Sequence, residues 1–418
     1  MLECSASTRR TEGDRTVADG TRIEHVVFIA DIPTTGGATD CLVELVACLI
    51  ADHGIRCTVC TAQVSDLNER LAKVGAESVV TGHDAFLTTI SKVNWKKPVS
   101  FAKRWLVWKS KNLRALKAAE DAIDFDDVDI VHSNLPRNDI GMVLARRHGL
   151  PHICHLRENS FEGFKLISLK PSPEKYLASG TDAFVAVSRS VRDNWARRGM
   201  DKSKIRVIYD GISTDDIARY SQGQNLRRDD GRSKLRCVFL GGYYGVKGLP
   251  CLLEAVAGLD ECARARVCVS VYGSGRDSGD GLAEQFVRSH NLEGVVELNG
   301  YAEDVPSLLA HYDVGLACSR HEAFGRIILE YRAAGLAVVA SRAGSFPELV
   351  NDGVDGFLYD PEGSAALTGV LSRLVGNPGE AARVAGAPHP IRTEEDIAEE
   401  IVGLYSDVVS RRLQTKAR

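Results

Sequence analysis

Short apolar runs alternate with segments of helical periodicity along most of the chain. The first unit of this pattern is an apolar run from His25 to Ala30, a polar turn, and a helical pattern from about Asp40 to His53. Apolar runs of this length that alternate with helical segments are typical of a parallel sheet covered by helices. Further strands are predicted at residues 56–61, 77–81, 129–132, 152–156, 183–188 and 205–208. Residues 23–212 are therefore predicted to form one doubly wound α/β domain.

The pattern is interrupted once and then begins again. Residues 213–233 are rich in Asp, Arg, Gln and Gly and contain no long apolar run, so they are predicted to link two domains. In the second domain, residues 234–392, strands are predicted at 236–241, 266–272, 295–298, 314–317 and 337–341, and helices at 249–257 and 282–290. A charged helix is predicted within residues 393–418, and the polar residues 1–22 are predicted to be a disordered tail. The sequence thus predicts an α/β protein of two Rossmann-like domains.

Composition and charge indicate the cellular compartment of the protein and argue against one class of partner. A net charge of -4 over 418 residues gives no reason to expect nucleic acid as a partner. The 11 cysteines are odd in number and scattered through apolar segments, which is typical of a reducing compartment. Cys57 and Cys60 have a CxxC spacing inside a predicted strand, where they point to different sides, so no redox or metal role is expected. No apolar stretch is long enough to span a bilayer, and the protein is predicted to be cytoplasmic.

Two glutamates, Glu322 and Glu330, lie eight positions apart at the beginning of a predicted helix. The helix is predicted to begin near Gly325 and to end at Gly335, so Glu322 precedes it and Glu330 lies inside it. Amides of a first helical turn are unpaired and carry partial positive charge, so a diphosphate can bind there while the carboxylates bind hydroxyls at its two ends. This arrangement suits a nucleotide-sugar. The alternative is two unrelated glutamates, one solvated and one on a helix face.

The sequence around these glutamates resembles a known enzyme family. Residues 315–361 read GLACSRHEAFGRIILEYRAAGLAVVASRAGSFPELVNDGVDGFLYDP, and this text resembles family 4 of the retaining glycosyltransferases, which have the GT-B fold. The resemblance extends through the segment Pro347-Glu348-Leu349-Val350 and the turns at Gly344, Gly353 and Gly356. It implies two Rossmann-like domains that face each other across a cleft, with the C-terminal helix crossing back to the first domain.

The resemblance also implies a role for each residue of the motif. Glu322 would contact the hydroxyls of the donor sugar and stabilise the developing oxocarbenium character, and Glu330 would hold the ribose. The departing diphosphate would be neutralised by Lys247 and by the backbone amides of Phe324, Gly325 and Arg326. The loop that leads from Glu322 to these amides is called the donor loop below. No metal ion is expected, and Tyr301 lies in the segment expected to border the base.

Lys247 lies near the end of a glycine-rich segment, LGGYYGVKG, at residues 240–248. A lysine at the mouth of a strand-to-helix loop can reach a phosphate, and its position resembles that of the family's diphosphate-binding lysine. The alternative is a surface lysine beside a turn. Gly242 stands where the family usually has an arginine, so one diphosphate cation is predicted to be missing or to be supplied by Arg320 or Arg326.

The first domain also contributes candidate residues. Gly36 and Gly37 follow the first strand and resemble the family's Gly-Gly-Ala turn, which faces the donor. His132 ends a strand and is predicted to hydrogen-bond the transferred sugar from the carboxyl edge of the sheet, with a histidine satisfied within a loop as the alternative. Ser188 is predicted to cap the following helix rather than to touch substrate.

A basic, aromatic segment lies between Lys92 and Lys117. It contains nine lysines and arginines, no acid, and three of the chain's four tryptophans, Trp95, Trp105 and Trp108. Such a segment suits an anionic membrane surface, where aromatic rings lie at the headgroup level and cations are attracted. The alternatives are a solvated helix whose tryptophans pack inward and, less consistent with the net charge, a nucleic-acid-binding segment.

Together these features predict a retaining, nucleoside-diphosphate-sugar-dependent hexosyltransferase. Its acceptor is predicted to be a glycan or a lipid-linked molecule of cell-surface polysaccharide or glycolipid synthesis, and the enzyme is predicted to be cytoplasmic or peripheral on the inner face of the membrane. Two alternatives of other classes remain open. One is a sugar-nucleotide 2-epimerase, which would isomerise the sugar without an acceptor, and the other is a non-catalytic subunit that binds a nucleotide-sugar.

Overall fold

The computed structural model describes residues 22–30, 36–89, 98–159, 166–224, 234–243, 245–273 and 281–416. These residues form two α/β domains, each built on a parallel sheet and facing the other across a cleft. Residues 1–21 of the predicted tail, 1–22, and residues 92–97 of the basic segment lie outside the described ranges. No helix in the described ranges is both long and apolar enough to cross a membrane.

The first domain contains nine strands and six helices within the described ranges. Its strands are β1 (His25–Ala30), β2 (Arg56–Thr61), β3 (Glu77–Val80), β4 (Leu87–Thr89), β5 (Ile130–Ser133), β6 (His152–Leu156), β7 (Leu166–Ser168), β8 (Ala183–Ala186) and β9 (Ile205–Val207). Its helices are α1 (Gly37–Ala51), α2 (Asp66–Lys73), α3 (Pro98–Ala122), α4 (Ile140–His148), α5 (Pro173–Ala178) and α6 (Arg189–Arg197). Seven strands pair in parallel in the order β3-β2-β1-β5-β6-β8-β9, and β4 and β7 form a separate antiparallel ribbon that the sequence pattern did not predict.

The second domain repeats this plan after the helix α7 (Thr214–Gln224). Its strands are β10 (Leu235–Leu240), β11 (Val267–Tyr272), β12 (Val296–Leu298), β13 (Val314–Ala317), β14 (Ala337–Ser341) and β15 (Phe357–Tyr359), parallel in the order β12-β11-β10-β13-β14-β15. Its helices are α8 (Leu249–Ala257), α9 (Glu261–Ala265), α10 (Leu282–Ser289), α11 (Val305–Leu309), α12 (Arg326–Ala333), α13 (Phe346–Leu349), α14 (Ala365–Gly376) and α15 (Pro378–Ala385). The last helix is α16 (Glu394–Lys416).

The strands are continuous apolar runs because helices cover both faces of each sheet. All six residues of β1 are buried. In β2, Cys57 belongs to the core under α1, α2 and α16, whereas Cys60 belongs to the opposite core under α3 and α4. Burial raises the pKa of each thiol to about 12, so neither is a thiolate at neutral pH.

The predicted linker is partly helical. Residues 214–224 form α7, which packs on α11 and α12 of the second domain, while residues 225–233 lie outside the described ranges. The segment predicted to link the domains thus contains a helix, because contacts with neighbouring helices stabilise a segment of low apolar content.

The last helix returns to the first domain. It packs along α1, and Thr393, just before it, forms a parallel bridge with Ile212 at the end of the first domain. The chain therefore passes between the two domains twice at one place, around residues 210–212 and 392–394.

Candidate active site

A cavity of about 170 Å³ lies between the start of α1 and the carboxyl edge of the second sheet. Its lining comes from three segments of the second domain and one glycine of the first domain: Gly37, Phe239, Leu240, Gly241, Lys247, Leu316, Ala317, Cys318, Ser319, Glu322, Gly325, Arg326, Ile327 and Phe346. The carboxyl edge of an open parallel sheet is where such folds bind ligands. The cavity brings together five residues singled out from sequence, namely Gly37, Lys247, Glu322, Gly325 and Arg326.

Gly325 determines how the donor loop enters α12. It is the N-cap residue and has a left-handed backbone, φ 89. A Cβ at this position would lie 2.5 Å from the ring of Phe346, so a larger residue would be strained by both its backbone and its packing. With Gly325 in this conformation, the residues of the first turn, Arg326 and Ile327, line the cavity. The unpaired amides of a first helical turn are a binding site for anions.

Lys247 and Glu322 are neighbours inside the cavity. Lys247 ends a short 3-10 turn, Gly245–Lys247, after β10, and its Nζ donates a hydrogen bond to Glu322 Oε2 at 3.0 Å. The lysine side chain is 43% exposed and the glutamate side chain 14%. A partly exposed cation beside a mostly buried carboxylate can turn toward a phosphate when a ligand enters.

Arg326 connects the two domains beside Glu330. Its guanidinium donates to both carboxylate oxygens of Glu44 in α1, at 2.8 and 2.6 Å, and its Nε lies 3.6 Å from Glu330 Oε1. Burial raises the pKa of Glu330 to about 7, with Arg326 opposing the shift and nearby carboxylates adding to it.

The structure gives a reason for glycine in place of the family's arginine. Gly242 has a left-handed backbone, φ 66, and its amide donates to the Tyr272 carbonyl at 3.0 Å. An arginine would be strained in this conformation. Of the two arginines suggested as substitutes, Arg326 lines the cavity, whereas Arg320 is exposed and is not among its lining residues.

The structure does not place His132 in the cleft. The side chain is completely buried, its Nδ1 is 2.6 Å from the Tyr405 hydroxyl of α16, and its Nε2 is 2.8 Å from His155 Nδ1. Burial lowers its pKa well below the usual histidine range, and Arg157 lowers it further. The predicted contact of His132 with the transferred sugar is therefore corrected: one ring nitrogen is bonded to Tyr405 of α16 and the other to His155 of β6, so neither is directed into the cleft.

Three other predicted residues are not among those that line the cavity. Gly36 is the N-cap residue of α1, and its carbonyl accepts the Thr39 amide at 2.8 Å. Phe324 is buried, with its ring 6.3 Å from that of Tyr209. Tyr301 follows β12 and is 72% exposed, so a role beside the base stays a prediction.

Polar residues that sequence reasoning did not single out hold the first domain's side of the cleft. Asn134 donates to the Ala38 carbonyl at 3.0 Å and accepts from Arg157 Nε at 2.9 Å. Arg157 is in turn paired with Asp210. This chain of contacts fixes the first turn of α1. Its only sequence signal is the position of Asn134 and Arg157 directly after two neighbouring strands.

Sequence reasoning also missed two acidic residues whose hydrogen bonds join the two domains. Glu44 interrupts an apolar helical run, which is a signal that could have indicated a buried partner. Glu348 belongs to the motif that resembles the family, but its partners, the amides of Arg189 and Ser190, lie in the first domain. Within the described residues, no group of three or more His, Cys, Asp or Glu side chains is arranged to hold a metal ion.

Comparison with known proteins identifies the family to which the two domains are similar. The family model described as Glycosyltransferase Family 4 matches residues 35–216, and the model described as Glycosyl transferases group 1 matches residues 234–377. An uncharacterized glycosyltransferase of Methanocaldococcus jannaschii is 25% identical over 274 residues, which are 63% of this chain and 70% of that protein. A D-inositol 3-phosphate glycosyltransferase of Acidothermus cellulolyticus is 29% identical over 307 residues, 68% of each chain.

The overall architecture is shared with solved structures. The Anabaena protein HepE, solved in complex with UDP and glucose, superposes with a TM-score of 0.66 at 20% sequence identity, covering 94% of this chain and 98% of that one. At this identity the likeness shows the fold. Together with the two matching family models, it shows that the chain belongs to the glycosyltransferases of the GT-B fold, with a family 4 domain followed by a group 1 domain.

Proposed function

We propose that this glycosyltransferase transfers a hexose from a nucleoside-diphosphate-sugar with retention of the anomeric configuration. The observation that carries the proposal is the meeting of Lys247, Glu322 and the first turn of α12 around one cavity, opposite Gly37 of the first domain. A uridine nucleotide is the first donor to test, because HepE binds UDP and glucose.

Each group has a defined task in this proposal. Glu322 contacts the hydroxyls of the donor sugar and stabilises positive charge that develops at its anomeric carbon. Lys247 leaves Glu322 for the diphosphate, and the amides of the first turn of α12 bind its other oxygens. Charge on the leaving group grows in the transition state, so these preorganised donors lower the barrier. Glu330 accepts hydrogen bonds from the ribose.

We propose that neutralisation of the diphosphate comes from protein groups and not from a metal ion. Lys247 and Arg326 supply two full charges at the cavity, and the helix terminus supplies partial charge. Assays with added Mg²⁺ or Mn²⁺ and with EDTA test this directly. Loss of turnover in EDTA that a divalent ion restores would contradict it.

Lys247→Ala tests the donor site. We expect kcat/KM for donor turnover to fall about thirty-fold to a thousand-fold, about 2 to 4 kcal/mol of transition-state stabilisation, because the lysine counters charge on the leaving diphosphate. The assay is nucleotide release across a panel of UDP-, GDP- and ADP-sugars, with the exposed Lys73→Ala as the matched control. A loss of less than threefold would remove Lys247 from the site.

Retention of the anomeric configuration is tested on the isolated product. An inverted linkage, read by proton NMR, would contradict retention.

We further propose that α3 brings the enzyme to an anionic membrane surface and that the acceptor is a lipid-linked glycan. Lys103, Leu106, Leu113 and Lys117 recur at helical spacing on one face of α3, and all four are exposed. Leu106 is 59% exposed and Leu113 is 54% exposed. Apolar side chains flanked by cations on one exposed face are the pattern of a helix that lies in a membrane interface.

The anchoring residues differ from those expected from sequence. Trp108 is only 4% exposed, and Trp105 is half-buried against the same core. Arg104 is paired with Asp84 through two hydrogen bonds. Two of the three tryptophans in the segment therefore pack inward, as in the alternative interpretation, and the leucines take the exposed positions. Trp95 lies outside the described residues.

Liposome sedimentation tests the membrane proposal. Wild type should sediment with anionic vesicles at low salt and much less at high salt, because exposed charges are screened over about 10 Å at 0.1 M salt. The variant Lys103→Glu with Leu106→Gln and Leu113→Gln should lose this binding. A control on α10, Leu282→Gln with Arg288→Glu, removes an equally exposed apolar and basic pair and should retain it. Equal recovery of wild type with and without anionic vesicles would contradict the proposal.

The acceptor is tested separately. Wild type should transfer sugar to lipid-linked glycan acceptors in anionic vesicles. Efficient transfer to soluble D-inositol 3-phosphate, the substrate named for the Acidothermus relative, with none to lipid-linked acceptors would overturn the lipid-linked assignment while leaving the donor chemistry intact.

A further inference from the structure

Two sets of hydrogen bonds join α6 of the first domain to the loop that carries Glu322. In the first, Ser188 Oγ donates to the carbonyl oxygen of Ala323, next to Glu322, at 2.6 Å. The same hydroxyl accepts the Val191 amide at 3.1 Å and so caps α6. Ser188 is completely buried. Its hydroxyl therefore acts as donor and acceptor at once, and the donated bond crosses between the domains.

The second set is centred on Glu348 in α13. Its carboxylate accepts the amides of Arg189 at 2.8 Å and Ser190 at 2.7 Å, and the hydroxyl of Tyr209 at 2.8 Å. The two amides are the first of α6, where the helix end carries partial positive charge. The glutamate side chain is 11% exposed, so these charge-assisted bonds are largely shielded from water.

Inside the second domain, Ser345 links these two contacts. Its amide donates to the carbonyl of Glu322 at 3.2 Å, and its hydroxyl donates to the carbonyl of Phe324 at 2.5 Å. The Glu348 amide donates back to the Ser345 carbonyl at 2.8 Å. The loop at 322–324 and the start of α13 therefore form one hydrogen-bonded body, held to α6 at two points.

We infer that Ser188 and Glu348 are positioning residues that orient Glu322 for the reaction by fixing its loop to the first domain. The inference rests on the proposed function, because it concerns the carboxylate assigned to the donor sugar. Both contacts exist only while α6 meets the second domain. Alignment of Glu322 is thus coupled to the contact between the domains, whereas Glu330 lies on α12 and is not held by these two sets of hydrogen bonds.

This dependence predicts a separation of turnover from nucleotide binding. Ser188→Ala and the isosteric Glu348→Gln should each lower kcat for donor turnover about tenfold or more. The Kd for UDP, measured by calorimetric titration, should change by less than about twofold. Because both residues hold one body, the double variant should lose less than the product of the two single losses.

Asp260→Ala is the matched control for loss of a helix cap. Asp260 accepts the Ala263 amide at 2.8 Å and caps α9, which directly precedes β11 and so lies at the edge of the sheet opposite the cavity. The Asp260→Ala variant should have a lower thermal unfolding midpoint than wild type and an unchanged kcat. Unchanged kcat in both folded test variants, or an equal loss of UDP affinity, would overturn the inference.

Hydrogen exchange provides a readout that does not need turnover. In Ser188→Ala and in Glu348→Gln, amides in residues 319–325 should exchange faster than in wild type, while those of α9 should not change. Unchanged exchange at 319–325 would overturn the inference. A wild-type protein that turns over no nucleotide-sugar would instead refute the proposed function, and this exchange experiment would still decide whether α6 holds the loop.

Discussion

At the scale of single residues, the two glutamates of the donor motif lie in different electrostatic surroundings. Glu322 pairs with Lys247 at the cavity, whereas Glu330 lies beside Arg326 and among the carboxylates that raise its pKa to about 7. Both are glutamates of one motif, so residue type alone does not distinguish them. Their neighbours do, and they support assigning Glu322 to the transferred sugar and Glu330 to the nucleotide.

This division of roles predicts that two alanine substitutions affect different quantities, UDP binding in one case and donor turnover in the other. Glu330→Ala should weaken UDP binding about tenfold or more, because a hydrogen bond from the ribose to a carboxylate is lost. Glu322→Ala should leave UDP binding nearly unchanged and reduce donor turnover. Calorimetric titration and nucleotide-release assays measure the two quantities. Equal weakening of UDP binding by both substitutions would mean that the roles are wrongly divided.

At the scale of elements, α1 and α12 meet through one guanidinium. Arg326 begins α12 and is held by Glu44 in the second turn of α1, and Asp216 of α7 lies 3.9 Å away. Three helices from both sides of the cleft therefore depend on a cation that also lines the donor cavity. When a diphosphate enters, the arginine can exchange one carboxylate oxygen for a phosphate oxygen without moving out of the site.

We expect Arg326, and not Arg320, to replace the arginine that is absent at Gly242. Arg326→Ala should weaken binding of UDP at least about fivefold more than binding of UMP, because the lost charge faces the second phosphate. Arg320→Ala should affect neither ligand, since Arg320 is exposed and outside the cavity lining. Titration of both nucleotides with each variant measures this. An equal loss for UDP and UMP would show that Arg326 only neutralises Glu44 and Glu330.

At the scale of the whole molecule, the two domains are joined where the chain passes between them twice. Glu394 lies at this crossing, and its amide donates to the Ile212 carbonyl at 3.2 Å. Its side chain is buried, the residue being 1% exposed, and neither carboxylate oxygen has a hydrogen-bond partner within the described residues. Burial raises its pKa to about 8, and Asp210 and Glu44 add to the shift.

This raised pKa predicts a pH-dependent stability. The folded state keeps a proton on Glu394 that the unfolded chain loses above its ordinary pKa of 4.5. Stability from this group is therefore complete below pH 4.5 and is lost as pH rises to about 8. Glu394→Gln removes the titration, so it should stabilise the protein relative to wild type by a few kcal/mol at pH 8.5, at about 1.4 kcal/mol per pKa unit, and far less at pH 5.

Thermal unfolding midpoints at pH 5, 6.5 and 8.5 measure the effect. The exposed Glu362→Gln serves as the control and should show no difference from wild type that changes with pH. A Glu394→Gln difference that is the same at all three pH values would mean that Glu394 is ionised in the folded state throughout this range.

Sequence determined most strands of the two parallel sheets and, with the family resemblance, the second domain's side of the site. Strand and helix bounds follow from local periodicity, so β1, β2, β6, β13 and β14 and the start of α12 were readable, as was the loop that brings Lys247 to the carboxyl edge of the sheet. A turn glycine, a helix cap and a strand end all act over a few residues, and their signal is therefore present in a short window of sequence.

Only the tertiary structure decided which face each side chain takes and which distant residues meet. Alternation along β5 could not show that His132 faces α16 instead of the cleft, and helical spacing could not show that Trp108 packs inward while Leu106 is exposed. Arg326 and Glu44 are 282 positions apart. Such contacts leave no local pattern, because their energy arises only when folding removes both partners from water and places them together.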